Sequence, residues 1–390
     1  MTSATVAEDE VVLCIGDTTF LDYGSIKVKR EGYGPTGNGG NGLILHSALA
    51  IEPNSGLPIG LLWQKLWNRE PKAHSPKDET PEQKKQRRAA ARKAARQRPF
   101  KDKESYRWVE ALTEIEKEVS TRTQIIHVFD REGDIAEVFD SARKLQHTGV
   151  LVRAAHDRSL DADSERLWQK LESQLIRFEQ SINLPETATR KARIAQLAVR
   201  FCPVQLRTPY GFDHREPLKV HAVYATEIDC PEGETPVSWM LLTTEGVADI
   251  QTAATILRWY SYRWRVEEYH KILKSGCQVE RYRLAASSMK ALLGFLSVIA
   301  VELLQLTYLH RYQPSTAAIV VLNPLQIQVL QAKSPKLPKV LTVAWAVEAV
   351  ARLGGYLEHR HKTPIGIQVL WRGWLKLHDL CEGWQLAKET

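Results

Sequence analysis

The chain predicts an α/β fold, a mixed sheet with flanking helices, joined to a β-rich insertion and a helical C-terminal region. Three features carry that expectation. Apolar runs of strand length end in an acid at VVLCIGD (11–17) and IIHVFD (125–130). Between 106 and 154, segments with helical periodicity alternate with strand candidates. Beyond 284 the pattern is mostly helical.

Taken in order, 11–17 is followed by strand candidates LILHSALAI (43–51) and LPIGLLW (57–63), separated by the turn-like PNSG at 53–56. These three form a meander. A polar excursion, 69–104, then carries the basic core KKQRRAAARKAARQR (84–98). Helix 106–119, strand 125–130, helix 134–144 and strand 149–154 follow. After one helical piece at 163–182, short alternating runs (LAVRF, VHAVYAT, SWMLLTT) make 160–247 a β-rich insertion. A single helix is expected over 249–275, free of internal proline and glycine and closed by Gly276. The rest is helical, with a proline-spaced break at 313–340 and a Trp- and Leu-rich end at 343–387. The division is 1–159, 160–247, 248–284 and 285–390, the last a candidate dimerisation region. Trp371, Trp374 and Trp384 in it read first as core residues.

At 390 residues the chain is long enough for two or three units sharing a core. Hydrophobic residues make up 43% and charged ones 25%, the balance of a soluble globular protein, and the net charge of +7 points toward a polyanionic partner. The five cysteines are scattered and form no C-x-x-C pair, which suits a reducing cytoplasm and argues against structural zinc. Glu8, Asp9 and Glu10 precede any apolar run, so no signal peptide is expected. The longest apolar stretch, Ala291 to Val301, is too short to span a bilayer and is interrupted by Ser297, so no membrane association is expected.

The chemistry is concentrated in the 249–275 helix. At about 100° per residue, Arg263, Lys274 and Glu267 fall at roughly −60°, −40° and −20° from Tyr260, on one polar stripe. Tyr262, Val266, Tyr269, Ile272 and Leu273 occupy the opposite, core-facing side. An aromatic, two cations and a carboxylate along one edge suit an anionic substrate handled by a metal. Asp17 and Asp130, each at the end of an apolar strand, supply further carboxylates. The element order is that of an RNase H-like domain, in which the first and fourth strands are neighbours, so that these two acids share a cation with Glu267. Hard oxygen donors of this kind suit Mg²⁺ or Mn²⁺, and two such ions roughly 3.5–4 Å apart serve phosphodiester displacement. Each residue also has a plainer reading. A strand-terminal Asp is commonly a turn or cap residue, and Glu267 a solvated one. Glu268 matches it by composition but turns roughly 100° off the stripe.

The spacing Tyr260-x2-Arg263-x3-Glu267-x6-Lys274, in YSYRWRVEEYHKILKSG, resembles the signature of the IS-four family of DDE transposases, most closely its Tn-five-like members. The likeness extends in order through GDTTFLDYG (16–24), LLWQKLWNREP (61–71), HVFDREGDI (127–135), VLVRAAHDR (150–158), PVSWMLLTTE (236–245) and ARLGGYLEHR (351–360). It implies that Asp17, Asp130 and Glu267 are the metal-binding catalytic acids, holding two Mg²⁺ ions that Mn²⁺ replaces. Tyr260, Arg263, Lys274 and, at a one-residue offset, Arg153 match residues that hold transposon-end DNA. Trp239 matches an aromatic on which a flipped base stacks, its alternative being a core aromatic beside Met240. Arg263 has an alternative of its own, an ion pair with Glu267 at i,i+4.

What the resemblance implies for function is cut-and-paste transposition in a bacterial cytoplasm: nicking, hairpin formation, hairpin opening and strand transfer, with the chain acting as a homodimer on transposon ends and target DNA. Relatives carry an N-terminal helical end-recognition domain, whereas sixteen residues precede Asp17, so a core without that domain is expected. A second expectation, of a different class, is a non-catalytic partner or inhibitor of a full-length transposase, or an inactive remnant. A third is an RNase H-like nuclease without strand transfer, against which Trp239 and the cationic stripe speak. The basic run 84–98 fits either a DNA-tracking segment or a solvated, partly helical excursion.

Overall fold

The computed structural model describes residues 2–24, 32–37, 39–70, 79–161, 165–184, 192–209, 212, 216–334, 336–357 and 365–389. Parts of the expected 69–104 excursion (71–78), of the 163–182 segment (163–164) and of the motif 351–360 (358–360) lie outside them. The first half opens with α1 (Thr2–Val6), β1 (Val11–Asp22), β2 (Gly34–Pro35), β3 (Asn41–Ile51) and β4 (Pro58–Trp67). Next come α2 (Pro81–Gln97), α3 (Tyr106–Glu118), β5 (Gln124–Phe129), α4 (Ala136–Ala142) and β6 (Thr148–Arg153). Then α5 (Leu167–Glu172) precedes β7 (Phe178–Leu184), β8 (Arg193–Leu206), β9 (Leu218–Ile228) and β10 (Ser238–Thr243). The remainder is helical: α6 (Ile250–Ser261), α7 (Trp264–Lys271), a π turn (Ile272–Gly276), α8 (Ala286–Tyr312), α9 (Pro324–Lys333), α10 (Val343–Leu353) and α11 (Ile367–Glu389). The class is therefore α/β, with a mixed sheet, flanking helices and a helical C-terminal region.

The chain divides into two compact units, the first built mainly from residues 3–17 and 70–263, the second mainly from 18–69 and 264–390. In the first, strands lie in the order β1-β5-β6-β10-β9-β8-β7. The pairs β1/β5 and β5/β6 are parallel, and every later pair is antiparallel. Parallel strands are covered on both faces and read as continuous apolar runs, which is the pattern of IIHVF. Against this sheet α3, α4 and α5 bury Trp108, Leu112, Val138, Phe139, Leu167 and Leu171 with Phe129, Val152 and Leu242. Trp108 and Phe129 meet at 4.7 Å between ring centroids. The expected helix at 163–182 is a correction. Among its described residues only Leu167–Glu172 is helical, and Phe178–Leu184 is an edge strand paired with β8. Its alternating burial is a period-two pattern, and ladder hydrogen bonds override the weak helical periodicity. Nor do β7 to β10 form a body apart from the sheet, since β10 pairs with β6.

The second unit is built on β3, paired with β2 and β4. Residues Leu43 to Ile51 are buried throughout, so their few polar groups need partners. The Thr18 hydroxyl and His46 Nδ1 are hydrogen-bonded at 2.8 Å. Gln64 donates to Ser47 Oγ at 3.2 Å and to the Tyr269 hydroxyl at 2.8 Å, and accepts from Ser297 Oγ at 3.0 Å. That last bond explains a second correction. Ser297 does not interrupt α8, which is long and apolar enough to cross a membrane by length and composition alone, the one such helix among the described residues. Half of its most apolar window is buried within the protein, and its Gln305 donates to the Pro58 and Ile59 carbonyls, as a core helix does. A third correction is α9, a capped helix inside the expected break at 313–340. Trp371 and Trp374 are buried as expected of core residues, while Trp384 is 36% exposed. Where α10 gives way to α11, a side chain on Gly354 would lie 2.0 Å from the Val369 carbonyl oxygen, and one on Gly373 1.9 Å from that of Val350.

His127 in β5 is fully buried, and neither ring nitrogen has a hydrogen-bond partner. Burial drives its pKa down to about 3, opposed only by the Glu116 charge. The unfolded chain protonates this ring near its ordinary 6.5 and the folded chain does not, so stability falls as pH drops from about 6.5 toward 3. His127→Leu is expected to flatten urea-denaturation stability across that window relative to the parent. Equal acid sensitivity in both proteins would show that other groups set it.

Candidate active site

Two acids meet because of strand register. β1 and β5 run parallel with Ile15 opposite Val128; Asp17 stands two residues further along β1, and Asp130 two residues further on, just past the end of β5. The period-two alternation puts both side chains on the face shared by Ile15 and Val128. Asp130 caps the single 3-10 turn Arg131–Gly133, its Oδ1 accepting from the Glu132 N–H at 2.8 Å. Burial holds the Asp130 carboxyl above the usual carboxylate range and the Asp17 charge adds to this, while the Glu132 N–H, Arg263 and Arg107 act in the opposite sense. Asp134, at the end of the same turn, is 2% exposed and ties it to the chain beyond β6. It accepts from the Ala155 and His156 N–H groups at 2.7 and 3.2 Å and from Arg158 Nη2 at 2.6 Å.

Cations and aromatics of the first unit surround this pair. Tyr260, near the end of α6, is 4% exposed. Burial raises its hydroxyl pKa, which Arg263 and Arg153 lower, and Arg153 is also its hydrogen-bond partner. Arg153, at the end of β6, donates from Nη2 to the Ser238 carbonyl at 2.9 Å. Trp239, half-buried on β10, meets Tyr260 edge-on at 5.1 Å between centroids. The unit therefore gathers Asp17, Asp130, Arg153, Trp239, Tyr260 and Arg263.

Two residues escaped the sequence reading. Arg107, on α3, pairs with Glu132 at 2.5 Å and lies over the Trp108 ring at 4.9 Å. Burial lowers its pKa, and Glu132, Glu104, Asp130 and Asp17 raise it. Glu132 is itself shifted upward, by burial first, with Arg107 opposing and Asp130 and Asp17 assisting. The signal was present for Glu132, two residues past an acid already singled out. For Arg107 nothing in YRWVEAL marks it off from an ordinary surface arginine.

The expected single helix over 249–275 is a correction. The N-terminus is as read, with Asp249 accepting from the Thr252 N–H at 2.8 Å in a capping box. At 262–263 the helix ends: Tyr262 and Arg263 N–H groups donate to the Trp259 and Tyr260 carbonyls at 3.1 and 3.0 Å, an i→i+3 tightening. No glycine or proline announces it. Beyond α7, the Cys277 N–H donates to the Ile272 carbonyl at 2.8 Å, which adds one residue to the last turn and shifts its phase. A constant 100° per residue therefore fails to relate Tyr260, in α6, to Glu267, in α7, or to Lys274, in the π turn. Nor is Gly276 a cap, since it is the last residue of that turn and Cys277 follows as the cap. Val266, Tyr269, Ile272 and Leu273 are buried as read.

Glu267 and Lys274 belong to the second unit. Lys274 lies 3.6 Å from Glu280, whose Oε1 accepts the Asp22 N–H at 2.9 Å. Glu268, the rival of Glu267, is engaged elsewhere: it accepts the Tyr308 hydroxyl and lies 3.7 Å from Arg311.

Among the described residues no group of three or more His, Cys, Asp or Glu side chains is placed to hold a metal ion. The Asp17–Asp130 pair nonetheless has the right donor chemistry for a hard divalent cation, which takes one or two carboxylates and fills its remaining positions with water and phosphate oxygens. No protein-family model matches the chain.

With no cation present, an ionised Asp130 weakens the fold, since its folded pKa lies above the unfolded value. The destabilisation is present above the raised pKa and disappears below the unfolded value near 3.9. Asp130→Asn is expected to be more stable than the parent at neutral pH in EDTA, with the difference vanishing in acid. A parent as stable as the variant throughout would place Asp130 in an ordinary solvated setting.

Proposed function

We propose that this protein is the catalytic core of a DNA transposase, cutting and joining phosphodiester bonds at a divalent-metal site on an RNase H-like domain. The observation that carries the reading is the pairing of Asp17 with Asp130 across adjacent parallel strands, amid Arg107, Arg153 and Arg263. Asp130, whose proton affinity burial and the Asp17 charge both raise, is costly to ionise unless a cation neutralises it. The third acid, Glu267, enters through the Tyr260-x2-Arg263-x3-Glu267-x6-Lys274 pattern.

Asp17, Asp130 and Glu267 would hold Mg²⁺ or Mn²⁺. When bound, such ions polarise a phosphoryl oxygen and acidify the attacking water or 3′-hydroxyl. The chain's own contribution is positioning. Arg153 and Arg263 offer charge-assisted donors to phosphate, and Lys274 offers a compact ammonium. The Tyr260 hydroxyl, kept protonated by burial, remains a donor through the working pH range. Trp239 presents an aromatic face suited to an extruded base, its edge-on contact with Tyr260 fixing the ring.

Asp130→Ala and Glu267→Ala are each expected to abolish Mn²⁺-dependent cleavage of transposon-end DNA while leaving the far-UV circular dichroism unchanged. Cleavage retained by either purified variant removes that acid from the mechanism. Trp239→Ala is expected to slow hairpin formation by roughly 5- to 150-fold, the loss of about 1–3 kcal/mol of stacking, and to slow first-strand nicking much less. Equal losses at both steps would leave Trp239 a packing residue for Tyr260.

A further inference from the structure

The transposase reading makes no use of α2. This 17-residue helix has no buried residue, and every position from Pro81 to Gln97 is exposed. Most protein helices persist because one face packs, and this one lacks that support. What holds it is local. The Thr80 side chain accepts from the Gln83 N–H at 3.3 Å while Gln83 Oε1 accepts from the Thr80 N–H at 2.9 Å. Pro81 fills the first turn, Arg87 reaches back to Glu79 at 2.7 Å, and alanines fill much of the rest.

Against those supports stands a ladder of like charges. Lys84, Arg88, Arg92 and Arg96 follow one another at i,i+4, about 6 Å apart along the axis with a drift of about 40° per step. Lys85 falls inside the same arc. Residues 84–98 contain no acid, and these five cations make no ion pair with another described residue. Like charges at i,i+4 oppose helix formation. A polyanion laid along the row reverses that effect, because each repulsive pair then shares a counter-charge. The helix has no apolar face beyond its alanines, so a bilayer offers it nothing to bury.

We propose that α2 is a second DNA-contacting surface, a sequence-independent arm whose Lys84–Arg88–Arg92–Arg96 row lies along the phosphates of duplex DNA. Duplex DNA carries one charge per about 1.7 Å of axis, so a row about 18 Å long meets several phosphates at once, and the small alanines let the helix backbone approach closely. The choice of DNA rests on the transposase reading; the polyanion chemistry does not.

The experiment uses the full-length protein in EDTA, which prevents metal-dependent cleavage, and a fluorescein-labelled random-sequence duplex read by anisotropy over a salt series. For the Lys84→Gln, Arg88→Gln, Arg92→Gln, Arg96→Gln variant, the slope of log K against log salt is expected to become shallower by about 3 to 4, with binding at low salt roughly tenfold weaker or more. Lys at all four positions is expected to preserve the slope. An unchanged slope in the Gln variant overturns the proposal, as does tighter binding of α2 cations to anionic vesicles or duplex RNA than to duplex DNA. Because the assay needs no catalysis, loss of cleavage in the acid variants bears on the active-site reading alone.

Discussion

The parallel pairing of β1 with β5 governs the first unit. A parallel ladder has evenly spaced, slanted hydrogen bonds and one register, and here Ile15 stands opposite Val128. Two residues beyond, Asp17 lies in β1 and Asp130 just past the end of β5. The pairing is electrostatically adverse for Asp130, whose carboxyl is partly withdrawn from water and whose ionisation the Asp17 charge opposes. The surrounding sequence answers with cations from separate elements, Arg107 on α3 and Arg263 after α6. Neither lies near the aspartates in the sequence, so only the sheet order can assemble them.

Much of this was legible in the residues. VVLCIGD and IIHVFD read as strands because a buried parallel strand has to be apolar on both faces, and a terminal acid stands out against such a run. Asp130 shows that the plain reading and the functional one coexist, since it caps a turn through the Glu132 N–H and is also a member of the acidic pair. Glu268 accepts the Tyr308 hydroxyl and lies near Arg311, whereas the angular phase that sets Glu267 apart assumes one unbroken helix from Tyr260, and that helix breaks at 262–263.

Other features left no mark in the sequence. The break at 262–263 occurs without glycine or proline, among aromatic residues whose helix propensity is merely modest, so packing rather than local preference sets it. The π turn adds a residue to the ladder without any compositional sign. β7 was hidden because the stretch 163–182 is too short on apolar residues for its alternation to outweigh a helical start at Leu167. Arg107 was invisible for a different reason: a salt bridge partner 25 positions away is a tertiary fact. The extent of α8 was misjudged because a buried serine with a side-chain partner behaves as part of an apolar helix, not as a gap in it.

The two glycines where α10 meets α11 carry a consequence of their own. At Gly354 and Gly373 each helix touches the other's main chain directly, with no room for so much as one carbon beyond Cα. Cores ordinarily adjust to a new methyl group by turning a neighbouring side chain, but a peptide carbonyl has no rotamer to change. The terminal helix is thus seated by two absences, and any heavier residue at either spot would lever the whole of its length outward. A drifting copy of this gene would lose the anchorage of its last helix at those glycines through the smallest substitution available.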